Sequence, residues 1–331
     1  MADLSKVIVT SSPHIRSDED TRSIMLDVII ALFPAFAVAV YNFGARALTL
    51  TLVTVAACVA FEHLYNIILK RPTTIGDLSA VVTGILLAFN LPVSMPMWKA
   101  VIGAGFAIIV AKMLYGGIGK NFMNPALCGR AFLLFAWTGS MGLWTAPGTK
   151  LPLFESPVDV VSTATPLAQL KAHTLPDASL LELALGQIGG CIGEVSAAAL
   201  LAGGLYLLYR RVISYRIPVA FLGTVAILTF CFPRGNDPLL WMGAQLLSGG
   251  LMLGAFFMAT DYATSPVTAK GQWIFGIGCG LLTVFIRYFG SYPEGVSFAI
   301  LLMNATVWLI DKYARPVKFG AIRKKKEGAA K

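Results

Sequence analysis

The sequence predicts an all-α, polytopic membrane protein that crosses the bilayer about ten times. Of its 331 residues, 56% are hydrophobic and only 13% are charged, about half the charged fraction that is usual for soluble domains. A hydrocarbon core about 30 Å thick needs about 20 apolar residues of helix. Stretches of this kind recur from residue 23 to residue 312. The bilayer is therefore the solvent for most of the chain.

Ten apolar segments follow one another, and each is predicted to form a membrane span: residues 23–43, 47–69, 78–91, 97–115, 126–138, 189–208, 217–233, 239–259, 272–290 and 295–312. The third and fifth segments are too short to cross as straight helices, because fourteen helical residues reach only about 21 Å. We therefore expect these two spans to break or to re-enter the membrane. An even number of spans returns both termini to one side.

The formal net charge of +9 could indicate a nucleic-acid partner in a soluble protein. When the N-terminus is placed in the cytoplasm, however, most Lys and Arg residues face inward. The residues predicted to face outward are Arg46, Lys99, Lys150, Lys171 and Arg234. The preference of cytoplasmic loops for positive charge accounts for the excess, so we expect contact with membrane lipid and no nucleic acid.

Both ends of the chain are predicted to lie in the cytoplasm. Residues 1–22 lack the apolar run and the small-residue cleavage site of a signal peptide. Residues 313–331 form a basic tail. These features predict a multi-pass protein with both termini on the cytoplasmic face.

The same order of a Gly- and Pro-containing segment followed by a Gly-rich span occurs twice, which predicts an internal duplication. GDLSAVVTGILLAFNLPVSMPMWK precedes a Gly-rich span that carries Lys112, and GGLMLGAFFMATDYATSPVTAKGQW precedes one that carries Arg287. Aligning Asn90 with Thr264 gives an offset of 174 residues and brings Lys112 within one position of Arg287. Because five spans separate the copies, residues 23–138 and 189–312 are predicted to be inverted five-helix repeats with broken helices. A purely structural duplication is the alternative interpretation.

The segment between the halves, residues 139–188, is predicted to form an extracytoplasmic loop. It contains Ser162, Ala164 and Thr165 in the pattern S-x-A-T. A loop of this length is more often functional than decorative. The pattern alone is weak, because Thr165 could equally cap a short helix that begins at Pro166.

Longer stretches carry a family resemblance: SSPHIRSDEDTRSIMLDVIIALFPAFAVAVYNFG, GDLSAVVTGILLAFNLP, NPALCGRAFLL, VVSTATPL, DYATSPVT and GIGCGLLTVFIRYFGSYPEGVSFAILLMN. Across nearly its whole length the chain resembles the RnfD family, the D subunits of the Rnf complex, which is the ion-translocating ferredoxin:NAD oxidoreductase. More distantly it resembles NqrB, the corresponding membrane subunit of the sodium-translocating NADH:quinone reductase.

The resemblance implies a covalent FMN. In that family a flavin transferase joins the FMN phosphate to the hydroxyl of the last threonine of the motif, which is Thr165 here. Ser162 and Ala164 complete the attachment motif, and Thr163 stands where a glycine often occurs. Thr165 would be a tether and not a catalyst, and no catalytic residue is expected.

The resemblance also implies riboflavin, bound without a covalent link among the helices. The expected pocket lies where broken helices expose backbone groups: Gly84, Asn90, Pro92, Asp261, Thr264 and Pro266. The alternative interpretation of these six residues is close helix packing and turn formation.

Few ionisable residues lie in the spans, and each is costly there. Asp27 and Glu62 are the candidate carboxylates of an ion path, and snorkelling or positioning is the alternative interpretation. The five cysteines and three histidines show no spacing typical of ligands, so no metal site is expected.

These features predict the flavin-carrying membrane subunit of an Rnf-type complex in the bacterial cytoplasmic membrane. Such a complex couples electron transfer between ferredoxin and NAD to translocation of Na⁺ or H⁺. The resemblance implies the A, B, C, E and G subunits of the Rnf complex as partners. The alternative function is a secondary transporter or channel without a redox role, which would also explain inverted repeats.

Overall fold

A computed structural model describes residues 19–149, 151, 153, 165–194, 196–290, 292 and 294–315. Within these residues every regular element is helical. The α-helices are α1 (Thr21–Phe43), α2 (Ala45–Ile68), α3 (Ser79–Phe89), α4 (Met97–Gly105), α5 (Pro125–Ala136), α6 (Thr138–Met141), α7 (Pro166–Lys171), α8 (Leu180–Leu185), α9 (Ala197–Tyr209), α10 (Arg216–Cys231), α11 (Pro238–Leu247), α12 (Leu251–Leu253), α13 (Ala269–Phe289) and α14 (Val296–Tyr313). A 3₁₀ turn (Ile75–Asp77) precedes α3, and π-helical segments extend α4 (Phe106–Met113) and α12 (Gly254–Met258).

Among the described helices, α1, α2, α13 and α14 are each long and apolar enough to cross a membrane. Helix α11 and the extended α12 form a fifth candidate, bent by 63°. Shorter apolar helices are α3, α5, α9 and α10. The all-helical class predicted from the sequence is confirmed, and the chain is a multi-pass membrane protein.

Local sequence signals set the bounds of the first two spans. Asp20 accepts a hydrogen bond from Ser23 N at 2.7 Å and its own N–H donates to Ser23 Oγ, which caps the start of α1. The bond from the Ser23 backbone lowers the pKa of Asp20. Gly44, with a φ of 69°, separates α1 from α2, since glycine takes this left-handed region without strain.

The third and fifth predicted spans are short continuous helices, α3 with 11 residues and α5 with 12, and their re-entry into the membrane stays a prediction. Helix α3 ends at Phe89, after 11 residues, and the next α-helix begins only at Met97. A turn from another part of the chain bonds to the end of α3: Ile192 N donates to Leu91 O at 3.0 Å, and Gly193 N donates to Phe89 O at 2.9 Å. These bonds satisfy backbone groups that the end of α3 leaves open.

Two predicted spans are wrong in their continuity. The span at 189–208 is helical only from Ala197, because the Gly-rich residues before it form a turn, with Glu194 N bonded to Cys191 O, that contacts the end of α3. A Cβ at Gly193 would lie 2.3 Å from the Phe89 Cβ, so only glycine fits this approach. The span at 239–259 breaks after Leu247, where Gly249 has a φ of 68°.

The segment between the halves lies against the C-terminal end of α1. Asn42 Nδ2 donates to Gly186 O at 2.9 Å, and Gly148 N donates to Asn42 O at 2.7 Å. At the opposite end of α1, Asp27 pairs with Arg210 at the end of α9. The segment and the start of α1 therefore lie at opposite ends of a 23-residue helix.

Candidate functional site

Thr165 is the N-cap of α7. Its backbone is extended, and its Oγ accepts a hydrogen bond from Ala168 N at 3.2 Å. The interpretation of Thr165 as a cap for a helix beginning at Pro166 is therefore confirmed. Ser162 and Ala164 lie outside the described residues.

Thr165 lies on the wall of a cavity of about 290 Å³, here called the Thr165 cavity. Its lining residues are Thr165, Pro166, Leu167, Ile188, Gly189, Gly190, Glu194, Gly249 and Glu294. Three of them are glycines, which leave the wall opposite α7 without side chains. The threonine and two buried carboxylates thus share one cavity, although the threonine itself is only 8% exposed.

A buried arginine holds both carboxylates. Arg130 Nη1 lies 3.4 Å from Glu194 Oε1, and Nη2 contacts Glu294 Oε2. Nη1 also donates to Asn90 Oδ1 at 2.7 Å and to Ser297 Oγ at 2.8 Å. We call these five residues the Arg130 cluster. All five are buried, so each polar group depends on the others for its partners.

The Arg130 cluster also argues against a metal ion bound beside it. Cys191, Glu194 and Glu294 bring possible ligand atoms within 4.8 Å of one another. The guanidinium of Arg130 already contacts both carboxylates and supplies the positive charge that a metal ion would bring. The arginine therefore takes the place of a metal cation beside Cys191, Glu194 and Glu294.

A larger cavity of about 740 Å³ opens among α1, α3, α9 and the two π-helical segments, and we call it the Asn121 cavity. Its polar lining residues are Ser79, Thr83, Lys112, Asn121, Asn124, Thr260, Asp261 and Tyr262. Asn121 Oδ1 is buried without a hydrogen-bond partner among the described residues.

The six residues of the predicted flavin pocket do not surround one cavity. Asp261 lines the Asn121 cavity, where it accepts a hydrogen bond from Thr264 Oγ1 at 3.1 Å. Asn90 belongs to the Arg130 cluster, and Pro92 pairs with Cys191.

Close packing explains Gly84 and Pro266 of the predicted pocket. A Cβ at Gly84 would lie 2.7 Å from Val55 Cα, and one at Gly271 would lie 2.9 Å from Pro266 Cβ. Sequence reasoning missed Asn121 and Asn124, which the motif NFMNP places at the start of α5.

The two candidate ion-path carboxylates lie in separate places and each has a cationic partner. Asp27 accepts a hydrogen bond from Tyr206 at 2.9 Å and pairs with Arg210 at 3.1 Å. Glu62 pairs with Lys112 at 2.6 Å in a fully buried contact.

Two further hydroxyl groups complete the surroundings of Glu62. Thr74 donates to Glu62 at 2.5 Å, and Lys112 Nζ donates to Ser79 Oγ at 2.6 Å. Lys112, Glu62, Thr74 and Ser79 are called the Lys112 cluster. Because Lys112 and Ser79 line the Asn121 cavity, this cluster borders it.

Two hydrogen-bonded pairs, one in each half of the chain, occur at the same sequence offset. Asn90 accepts from Arg130, 40 residues away. Asn304, with its amide oriented to satisfy both neighbours, donates to Thr264 O at 3.0 Å and accepts from Asn124 N at 3.1 Å. The second pair follows the first at an offset of 174 residues in both members.

The class that this fold and these sites define is a multi-pass helical membrane protein with broken helices, buried charge clusters and two polar cavities. The chain belongs to the NQR2, RnfD, RnfE family, whose model matches residues 8–320. The resemblance predicted from the sequence is confirmed.

Three relatives match the chain over nearly its full length. It is 52% identical to the D subunit of the Na(+)-translocating ferredoxin:NAD(+) oxidoreductase complex of Acetobacterium woodii, over 97% of this chain and 98% of that protein. It is 44% identical to the D subunit of the proton-translocating ferredoxin:NAD(+) oxidoreductase complex of Clostridium ljungdahlii, over 95% and 96%. The D subunit of an ion-translocating oxidoreductase complex of Actinobacillus succinogenes is 38% identical, over 93% and 96%.

Proposed function

We propose that the protein is the flavin-carrying membrane subunit of an Rnf-type complex that couples electron transfer between ferredoxin and NAD to translocation of Na⁺ or H⁺. The observation that carries the proposal is the match over nearly the full length to the D subunits of two such complexes, one named for Na⁺ and one for protons. These relatives favour the redox function over a secondary transporter or channel. The subunit would act only within the assembled oxidoreductase.

The proposal includes the partners and the location. The A, B, C, E and G subunits of the complex and a flavin transferase are the proposed partners, in the bacterial cytoplasmic membrane. Both termini are proposed to be cytoplasmic, with residues 139–188 on the outer face. The contacts of Asn42 with this segment support the arrangement, because they lie at the end of α1 opposite Thr21.

We further propose that residues 23–138 and 189–312 form inverted repeats with ten spans in total. The two pairs at a common offset, Asn90 with Arg130 and Thr264 with Asn304, support a duplication. Lys112 and Arg287 add a third correspondence. Each binds the broken span of its own half, since Lys112 donates to Ser79 and Arg287 donates to Ser248 O at 3.0 Å.

Thr165 is the proposed attachment site of FMN. Thr165 ends the S-x-A-T pattern, lies in the segment proposed for the outer face and borders the Thr165 cavity. Bound there, FMN would supply one-electron transfer chemistry, and the protein would supply position and insulation from water. Thr165 would hold the phosphate, and Ser162 and Ala164 would complete the sequence that the transferase recognises.

The Asn121 cavity is the proposed site of riboflavin. Side-chain amides of Asn121 and Asn124 offer both donors and acceptors, which suits a flavin ring that also carries both. The unpartnered Asn121 Oδ1 supports a missing ligand, because buried polar atoms are normally hydrogen-bonded. Asp261 keeps its predicted role at this site. Asp27 and Glu62 remain the proposed ion-path carboxylates.

Intact mass spectrometry of the subunit from native membranes tests the FMN proposal. The wild-type chain should carry the mass of FMN less one water and should fluoresce in a denaturing gel. Thr165→Ala should lose both signals, whereas Thr174→Ala, in the same segment, should keep them. A bare polypeptide mass for the wild type would contradict the proposal.

Riboflavin is tested separately by analysing the flavin released on denaturation of the purified complex. We expect a flavin without phosphate from the wild type and strong depletion in Asn121→Leu. Asn42→Leu, at the far end of α1, is the control and should retain it. Equal release from the Asn121 and Asn42 variants would place the flavin elsewhere.

A further inference from the structure

A groove runs between the last turns of α10 and α13 and encloses about 1,130 Å³. We call it the α10–α13 groove. Its lining residues are Leu228, Cys231, Phe232, Pro233, Arg234, Leu281, Val284, Phe285, Tyr288 and Phe289. Arg234 is the one charged residue among them. The groove therefore combines a long apolar surface with a single cation.

The apolar part of the groove faces outward from the protein. Phe232, Phe285 and Phe289 are 65%, 61% and 70% exposed, although α13 is apolar enough to be a membrane span. Side chains of this kind on a spanning helix face hydrocarbon, and aromatic residues at its end are typical of the membrane interface. Lipid is thus the solvent of this groove.

The groove opens at the Thr165 end of the molecule. Tyr288, near the end of α13, receives a hydrogen bond from Trp241 Nε1 at 2.9 Å. Trp241 and Tyr288 belong to a hydrophobic cluster that also contains Leu167 and Leu170 of α7. The cation at the groove is therefore at the interface on this face, the depth at which phospholipid phosphates lie.

The guanidinium of Arg234 is held in place at the mouth of the groove. It lies 4.3 Å from the Tyr288 ring centroid and 5.1 Å from that of Phe289, and Nη1 donates to Tyr288 O at 2.8 Å. Among the described residues, no carboxylate lies within ion-pair distance of it. Arginine presents five N–H donors in a fixed fork, so a single backbone bond leaves donors for an anion.

We propose that the α10–α13 groove binds an anionic phospholipid of the leaflet on the Thr165 side. Its phosphodiester contacts Arg234, and one acyl chain lies along Leu228, Leu281 and Phe285. Charge complementarity selects this occupant: a guanidinium at headgroup depth binds phosphate in a bidentate manner, and a zwitterionic headgroup carries its own cation, which competes for the phosphate. An apolar partner helix would leave the cation without a counter-ion.

Photo-crosslinking in the purified complex tests the proposal. Phe285→p-benzoylphenylalanine is introduced, and the complex is reconstituted in nanodiscs of equal parts phosphatidylglycerol and phosphatidylcholine. Adducts to phosphatidylglycerol should dominate. Arg234→Gln in this background should reduce them about tenfold, the loss expected for a charge-assisted bond worth about 1.4 kcal/mol.

Two matched variants separate charge from general damage. Arg234→Lys should retain part of the preference for phosphatidylglycerol, since it keeps the charge. Lys99→Gln, which removes another cation stacked on aromatic rings, should leave the adducts unchanged. Equal adducts to both lipids, no effect of Arg234→Gln, or adducts to another protein of the complex would each overturn the proposal.

Discussion

The Arg130 cluster and the Lys112 cluster use the same chemistry but connect different parts of the chain. Each buries a cation against carboxylate and hydroxyl groups, and each borders one of the two polar cavities. Lys112 joins elements of the first half only, through Glu62 and Ser79. Arg130, by contrast, binds Glu194 and Glu294 from the second half.

This difference in connectivity should separate the effects of losing either cation. A buried ion pair adds little net stability, but removing one partner leaves an uncompensated buried charge. Loss of Lys112 leaves one carboxylate, Glu62, buried without its cation, within one half of the chain. Loss of Arg130 leaves two carboxylates buried without their cation and removes one of the contacts between the halves.

Arg130→Met should have the largest effect. We expect the free energy of unfolding to fall by about 5 kcal/mol, the upper end for a broken buried ion pair. Thermal unfolding of the complex in detergent measures the change. Arg130→Lys, which keeps the charge but loses the fork of donors, should fall between this variant and the wild type. Equal stability of Arg130→Met and Lys112→Met would contradict the comparison.

Lys112→Met should cost about 3 kcal/mol, because Glu62 then remains buried without its cation. Adding Glu62→Leu should restore much of the loss, since neither charge remains. The same detergent assay measures both variants. If the double variant were as unstable as the single one, the Lys112 cluster would hold its half together by more than charge neutralisation.

Gly250→Ala tests the Arg130 cluster without removing a charge. A Cβ there would lie 2.7 Å from Glu194 Oε1 and would displace this carboxylate. We expect a loss of about 1–3 kcal/mol, the usual cost of overpacking. Gly223→Ala is the control, because no atom lies within 4 Å of its Cβ position. A neutral Gly250→Ala would show that Glu194 can shift freely.

Arg210→Gln should be milder than either cluster variant. Its side chain is 48% exposed, so the pair with Asp27 is screened by water. An exposed ion pair contributes about 0–1 kcal/mol, and added salt should reduce even that difference. A loss of stability as large as that of Lys112→Met would mean that burial does not determine how much each of these ion pairs contributes.

The smallest effect concerns α8, which lies outside both clusters. Hydrogen bonds from the backbone and hydroxyl of Ser179 lower the pKa of Glu182. A lowered pKa stabilises the folded form above the ordinary value of 4.5, and this contribution is lost as the pH falls through the lowered pKa. The protection factors of the α8 amides in hydrogen exchange should therefore fall on acidification, and Glu182→Gln should remove this decrease.

The sequence predicted the elements that depend on local signals. The first two spans follow from long apolar runs, and the short helix α3 follows from a short apolar segment. The helix that begins at Pro166 follows from the capping preference of threonine.

The Arg130 cluster could not be predicted in this way. Arg130 and Glu194 are 64 residues apart, and Glu294 follows a further 100 residues on, so no periodic pattern connects them. The signal in the sequence was that each of these three charged residues lies among apolar residues or glycines. The non-helical course of residues 189–193 was also missed, because apolar content outweighed the glycines in the span prediction.

The π-helical segment Phe106–Met113 gives the helix that carries Lys112 a spare residue, whereas α13, the helix that carries Arg287, is α-helical throughout. Leu114 N bonds to Ile109 O, one position farther back than in an α-helix. Such a bulge absorbs a deletion, because the helix before and after it keeps its phase when the extra residue is removed. In the regular helix α13 the same deletion would turn Arg287 by about 100° away from Gln245. Natural length variation among relatives should therefore be tolerated in the first of these helices and excluded from the second.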